Sequence, residues 1–175
     1  RKKGMVAMKG SYHGKSFGAL SLTFNPKYRK AFAPLVEKVS FASFGDIDSL
    51  RSVIDEDTAF IILEPIQGES GIVVAPDGFL QEVRKLCDEK GILLVFDEIQ
   101  AGLGRTGRLW AGEHWNTVPD ILCLAKGIAG GVPMGATLVK PGILAAISKG
   151  EHSSTFGGNP ISCAAGIAAL TSLTE

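Results

Sequence analysis

Six short apolar runs punctuate the chain, at residues 5–8, Val39–Ala42, 59–63, 92–96, Ile121–Leu124 and Ala136–Val139. Several of them show no polar alternation. A strand covered on both faces reads that way, whereas a half-exposed strand alternates. Between the runs lie two stretches with helical spacing, 46–54 and 77–90. In the second, Phe79, Leu80, Val83, Leu86 and Cys87 recur every three or four positions and so share one face, and Gly91 follows as a stop. Strand, helix, strand at these intervals predicts an α/β fold: a mixed, mainly parallel sheet sandwiched by helices. Catalytic groups are then expected at strand ends and in the loops that follow them. Repeats, low-complexity tracts and linker-like stretches are absent from the sequence, and a small-residue, helix-like run leads into Glu175.

Composition narrows the class without choosing a function. With 45% apolar and 21% charged residues, the chain reads as globular rather than disordered. Its 18 basic residues balance 18 acidic ones, so no bulk field favours nucleic acid or an anionic membrane. The basic start Arg1-Lys2-Lys3 is followed by too short an apolar run for a signal peptide, and no run is long enough to span a bilayer. Cys87, Cys123 and Cys163 form no C-x-x-C pair and sit in apolar surroundings, as reduced core residues of a cytoplasmic protein do. The start at Arg1 and the stop at Glu175 read as a fragment truncated at both ends.

Glycines cluster at 102–112, at 127–135 and at Gly157-Gly158. The first cluster contains Gly102-Leu103-Gly104-Arg105-Thr106-Gly107, which fits the dinucleotide fingerprint G-x-G-x-x-G. Its context does not fit: no apolar-periodic helix opens there, and no acidic residue ends a following strand at the required distance. A stronger signal is the run 92–96, which delivers Asp97 at its end. A carboxylate there costs several kcal/mol to desolvate unless a cation or donors meet it. Three answers suit it: a turn cap, a metal, or a protonated heterocyclic nitrogen. Further on, Ile121–Leu124 leads through Ala125 to Lys126, followed by Gly127 and other small residues. A lysine so placed has room for a flat ligand against its amine. Asp97 and Lys126 together form the pair that pyridoxal 5'-phosphate (PLP) chemistry requires.

Five segments occur in an order that resembles one family. They are Ser11-Tyr12-His13-Gly14-Lys15, Glu64-Pro65-Ile66-Gln67-Gly68-Glu69-Ser70-Gly71, Asp97-Glu98-Ile99-Gln100, Lys126-Gly127 and Ser154-Thr155-Phe156-Gly157-Gly158-Asn159-Pro160. The chain resembles the class III, fold type I, PLP-dependent aminotransferases. Within them it is most similar to acetylornithine aminotransferase and to the relative that acts on lysine or ornithine tethered to an acidic carrier protein. The resemblance implies that residues 1–175 form the central part of the PLP-binding large domain. The upstream phosphate loop, the downstream substrate arginine and the small domain would lie outside them.

Carried over residue by residue, the resemblance implies these roles. Lys126 would hold PLP covalently and later move the proton, and Asp97 would pair with the ring nitrogen. Gln100 would reach the ring's phenolic oxygen, Tyr12 would stack on the ring face, and Glu98 would join the cofactor-binding set. Thr155 would reach the cofactor phosphate of the neighbouring subunit, with Ser154 beside substrate. Glu69 would pair with an arginine in one half-reaction and release it in the other. Lys15 stands where acetylornithine aminotransferases carry arginine, a point charge instead of a bidentate fork. No metal site is implied. His13 is read as lining the pocket, Glu64 as a structural acceptor, Arg105 and Arg108 as loop residues, and Trp110 and Trp115 as packing.

The implied activity is transfer of an ω-amino group from an acetylornithine-, ornithine- or lysine-like donor to 2-oxoglutarate, in arginine or lysine biosynthesis, by a cytoplasmic homodimer with shared active sites. Alternatives are another class III PLP enzyme (a 4-aminobutyrate-type aminotransferase, a racemase or an aminomutase) or a non-catalytic fragment.

Overall fold

The computed structural model describes residues 2–175. Its strands are β1 (Gly4–Met8), β2 (Val39–Ala42), β3 (Thr58–Leu63), β4 (Ile66–Gln67), β5 (Val73–Val74), β6 (Leu93–Asp97), β7 (Ile121–Leu124) and β8 (Ala136–Val139). Six of them form one sheet in the order β2-β1-β3-β6-β7-β8. All neighbours pair in parallel except β7 with β8, which is antiparallel. All six runs expected from the sequence are present, with ends shifted by no more than a residue. The short β4–β5 hairpin was not foreseen, because two residues per strand carry no periodicity and Val73 and Val74 are exposed.

The missing alternation has a direct cause. On one face Val6, Met8, Ile61, Leu63, Leu94 and Phe96 pack with Leu50 of α3 (Ile47–Val53) and with Leu80, Val83, Leu86 and Cys87 of α4 (Phe79–Lys90). On the other, Ala7, Ile62 and Val95 cluster with Leu22, Phe41, Phe60 and Ile121. The central strands are therefore apolar at successive positions because both of their faces are buried. Further helices are α1 (Phe17–Leu22), α2 (Pro26–Arg29), α5 (Pro141–Leu144) and α6 (Pro160–Thr174). Among the described residues no helix is long and apolar enough to cross a membrane.

Helix ends follow local chemistry. Asp46 caps α3, its Oδ1 accepting from Asp48 N and Ser49 N. Gly91 ends α4 in the left-handed region at φ 59°, where a side chain is disfavoured, and Ile92 N then closes on Cys87 O at 2.9 Å. Burial pushes the Cys87 thiol up to about 12 and the Cys123 thiol up to about 11, so neither is a ready nucleophile. Cys123 and Cys163 are only half-buried, less enclosed than a core reading supposes, while all three thiols are free.

At the edge opposite the strand C-termini, Asp120 joins three elements. Its Oδ2 accepts from Leu94 N at 2.8 Å and Arg84 Nη1 at 2.8 Å, and its Oδ1 from Lys140 Nζ at 2.7 Å. Burial acts to raise this carboxyl's pKa, but the Leu94 amide, Lys140 and Arg84 outweigh it and hold it below the usual carboxylate range. A carboxyl depressed in the folded state stabilises above its unfolded pKa of about 4, and that stability is lost as pH falls through the lower folded value. Asp120→Ala should therefore cost about 3 kcal/mol at neutral pH, read by urea unfolding of the cofactor-free full-length protein. The gap between wild type and variant should close as the medium is acidified below about pH 4. A gap that stays constant down to strong acid would remove the ion pairs from the account.

Candidate active site

Four adjacent strands, β1, β3, β6 and β7, deliver polar groups at their C-terminal ends. Ligands in open α/β sheets sit outside that edge, near the point where strand order reverses. Here the reversal lies at β1, which is flanked by β2 on one side and β3 on the other.

Asp97 is the last residue of β6 and is 5% exposed. Its Oδ2 accepts from His13 Nδ1 at 2.8 Å, and its Oδ1 accepts from Ile99 N at 3.1 Å. An ionised carboxylate only accepts, so Nδ1 of the imidazole carries the hydrogen in this bond. His13 is held in turn from behind, its backbone N–H donating to Thr23 Oγ1 at 2.9 Å. Glu64, immediately after β3, accepts from Tyr12 N at 3.0 Å and from Gly68 N at 3.2 Å. Burial raises its pKa, opposed by those two amides. Glu64 is thus the structural acceptor expected of it.

Lys126 follows β7 and opens a short 3-10 turn, Lys126–Ala129. Its φ of 49° lies in the left-handed region, costing on the order of 1 kcal/mol for a residue with a side chain. The amine donates to Gln100 Oε1 at 2.8 Å. Gln100 lies across the backbone of Gly68, where a Cβ would fall 2.3 Å from its Nε2. A glycine at position 68 therefore lets the glutamine reach the lysine. Tyr12, His13, Gly14, Glu64, Asp97, Ile99, Gln100 and Lys126 line one cleft of about 110 Å³.

Tyr12, Asp97, Gln100 and Lys126 thus meet as the sequence reading expects. Glu98 does not join them. Successive strand residues point to opposite faces, so a neighbour of Asp97 at a strand end is directed away from it. Glu98 accepts from Ala111 N at 2.6 Å and Gly112 N at 2.8 Å, and lines a separate cavity with Trp110, Val118 and Leu138. In this structure it is the acceptor that anchors the Ala111–Trp115 turn, and burial raises its pKa.

Glu69 lies outside the cleft, at an adjoining depression of about 330 Å³ that it shares with Tyr12, Phe24, Tyr28 and Ser70. Lys15 Nζ sits 5.1 Å from the Tyr28 ring centre, and Tyr28 meets Tyr12 edge-on at 5.6 Å. Ser154 and Thr155 are exposed and line neither cavity, and Ser154 Oγ accepts from Gly157 N at 3.1 Å. The sequence reading missed the His13–Asp97 bond and Tyr28. Both depend on contacts distant along the chain, and no local pattern carries them.

A buried anion at a strand end, an aromatic ring and a positioned lysine amine around a narrow cleft suit a flat heterocycle bearing a protonated nitrogen and an aldehyde carbon. That is a PLP-type site on an α/β sheet. The model for aminotransferase class III matches residues 1–175, and the chain belongs to that family. An acetylornithine aminotransferase from Methanopyrus kandleri is 49% identical over 170 residues, covering 97% of this chain and 44% of that protein. Ornithine aminotransferase 1 from Staphylococcus saprophyticus is 48% identical, covering 98% of this chain and 44% of that protein. The ornithine aminotransferase of Toxoplasma gondii superposes with a TM-score of 0.95 at 36% identity, covering 99% of this chain and 42% of that one. An amine transaminase from an uncultivated Pseudomonas species, solved with PLP bound, gives a TM-score of 0.90 at 30% identity over 99% of this chain and 46% of that one. The chain spans less than half the length of the curated relatives it matches. PLP is the cofactor of this fold and family.

If Glu98 anchors the turn, Glu98→Gln sets an amide against two backbone donors. The full-length variant should lose about 2 kcal/mol in urea unfolding while its PLP affinity, titrated by visible absorbance, stays within about twofold. Unchanged stability with a tenfold weaker cofactor would return Glu98 to the site.

Proposed function

We propose that the full-length protein is a PLP-dependent transaminase that moves the ω-amino group of an ornithine-, N-acetylornithine- or lysine-like donor to 2-oxoglutarate. The observation that carries this is the Lys126 amine, held by Gln100 in the same cleft as the buried Asp97 carboxylate. The similarity to acetylornithine and ornithine aminotransferases supports the donor class. We further propose that residues 1–175 form the central part of the PLP-binding large domain.

When bound, PLP supplies a conjugated ring that shares the electron pair left behind as a proton leaves the donor carbon. Lys126 would provide the covalent attachment and then the amine that carries this proton. Its left-handed backbone aims the chain into the cleft. Asp97 would hold a proton at the ring nitrogen, with His13 fixing the orientation of its carboxylate. Tyr12, which lines the cleft, would cover one ring face without competing for protons. Glu69, in the adjoining depression, would pair with an arginine in one half-reaction and release it in the other.

Ser154 and Thr155 are proposed to serve a neighbouring subunit in a homodimer, which is supported by their exposure and by a lining of their own cleft that includes neither. An acidic carrier protein presenting the donor would meet Lys15, an exposed cation at the rim.

Borohydride fixation of the holoenzyme should place the pyridoxyl label on Lys126, and Lys126→Ala should abolish both label and visible band. A label on another lysine would overturn the assignment. Asp97→Asn should still bind cofactor but slow the donor half-reaction on the order of 10³-fold, read by stopped-flow loss of the bound-cofactor band. Near-normal rates would remove the ring-nitrogen role. Mixing inactive Lys126→Ala and Thr155→Ala subunits should restore part of the activity once subunits exchange. No recovery despite proven exchange would assign Thr155 to its own chain.

A further inference from the structure

The loop after β1 is tied to the segment after β3 by side chains that the chemistry above leaves unused. Gln67 Nε2 donates to Lys9 O at 2.9 Å, and Ser70 Oγ donates to Gly10 O at 2.6 Å. Beneath them Glu64 takes Tyr12 N on one oxygen and Gly68 N on the other. The result is a strap of hydrogen bonds joining the loop that bears Tyr12 to the turn that bears Glu69. It closes over bare backbone. A Cβ on Gly10 would fall 2.6 Å from Ser70 Oγ and 2.7 Å from Gln67 Oε1, and Gly10 has a φ of +85°.

The members differ in what they fix. Gln67 and Glu64 are buried, at 2% and 5% exposure, and brace the interior of the strap. Ser70 is exposed, follows Glu69 directly, and shares with it and Tyr12 the wall of the 330 Å³ depression. With its neighbour's side chain anchored to Gly10, the direction in which the Glu69 carboxylate leaves the turn is set. A misplacement of about 1 Å at such a group is enough to change selectivity.

We propose that Ser70 is a positioning residue for donor selection: its hydroxyl, latched on the Gly10 carbonyl, holds Glu69 at the wall it shares with Tyr12, favouring ω-amine donors over α-amino acids. This rests on the reading above that Glu69 faces substrate. The latch is independent of the sheet, because β1 and β3 already pair through their backbones.

The test is a double-mutant cycle in the full-length holoenzyme, reading the ratio of first half-reaction rates with ornithine and with glutamate. Glu69→Ala should shift the ratio toward glutamate. Ser70→Ala should shift it the same way by about fivefold, the worth of one hydrogen bond, and Ser70→Thr should restore it. Ser70→Ala added to Glu69→Ala should change the ratio no further. In cofactor-free protein, amide hydrogen exchange across residues 68–71 should quicken in Ser70→Ala and not in Ser70→Thr. A general loosening would slow both donors alike and leave the ratio fixed. A shifted ratio in Glu69→Ala with none in Ser70→Ala overturns the latch and spares the reading of Glu69. An unchanged ratio in both overturns that reading and this proposal with it. Unchanged exchange in Ser70→Ala overturns the latch whatever the ratios.

Discussion

A carboxylate buried at the end of an apolar strand must be met by donors, and most of this site follows from how Asp97 is met. Its strand is covered on both faces, so water cannot do it. One oxygen takes the amide of Ile99 and the other takes the imidazole of His13, which arrives from the loop after β1, two strands away. The protein supplies a neutral amide and a single ring nitrogen, and among the described residues no lysine or arginine bonds to it. A carboxylate held this way is oriented and keeps its charge available to a cation brought into the cleft.

Two other acids share this buried edge, and their partners separate their functions. Glu64 and Glu98 each bond two backbone amides, one to each oxygen. Burial raises the pKa of both, with those amides acting against it. Such carboxylates close loops onto the sheet, Glu64 for the Tyr12 loop and the Gly68 turn, Glu98 for the Ala111–Trp115 turn. Asp97 has one amide and one side chain, and it lines the cleft beside the lysine. The distinction is geometric before it is chemical: Asp97 ends β6 in the cleft wall, while Glu98, the next residue, turns to the amides of Ala111 and Gly112.

This bears on what can be read from the sequence. The six main strands were legible as short apolar runs, and in the central ones burial on both faces erases polar alternation, a local signal. The cleft's Lys126, Asp97, Gln100 and Tyr12 were legible because strand ends mark the edge where ligands bind and because the motifs stand in the family's order. The His13–Asp97 bond was not, since it joins residues 84 positions apart. The two-residue strands β4 and β5 were too short to show a period, and the apolar Val73 and Val74 face solvent. The turn of Glu98 toward the amides of Ala111 and Gly112 was not legible either, since it joins residues 13 and 14 positions apart.

Backbone conformation explains why the remaining pieces converge. Lys126 sits at a φ of 49°, and the peptide before it, at Ala125, is extended with φ −162°. A lysine continuing β7 as a strand residue would follow the strand's alternation; the left-handed turn instead swings it across the sheet edge toward Gln100. That reach is possible because Gln100 can lie flat on Gly68, and Gly68 is pinned by Glu64, which also pins Tyr12. The lysine, the glutamine and the aromatic ring are therefore registered to one another through a single glycine and a single buried acid. A side chain at position 68 would displace Gln100 from Lys126 without touching either residue's chemistry. The turn that carries this glycine also carries Glu69, so the geometry of the amine-bearing end of the site and that of its selective wall are set by the same few residues.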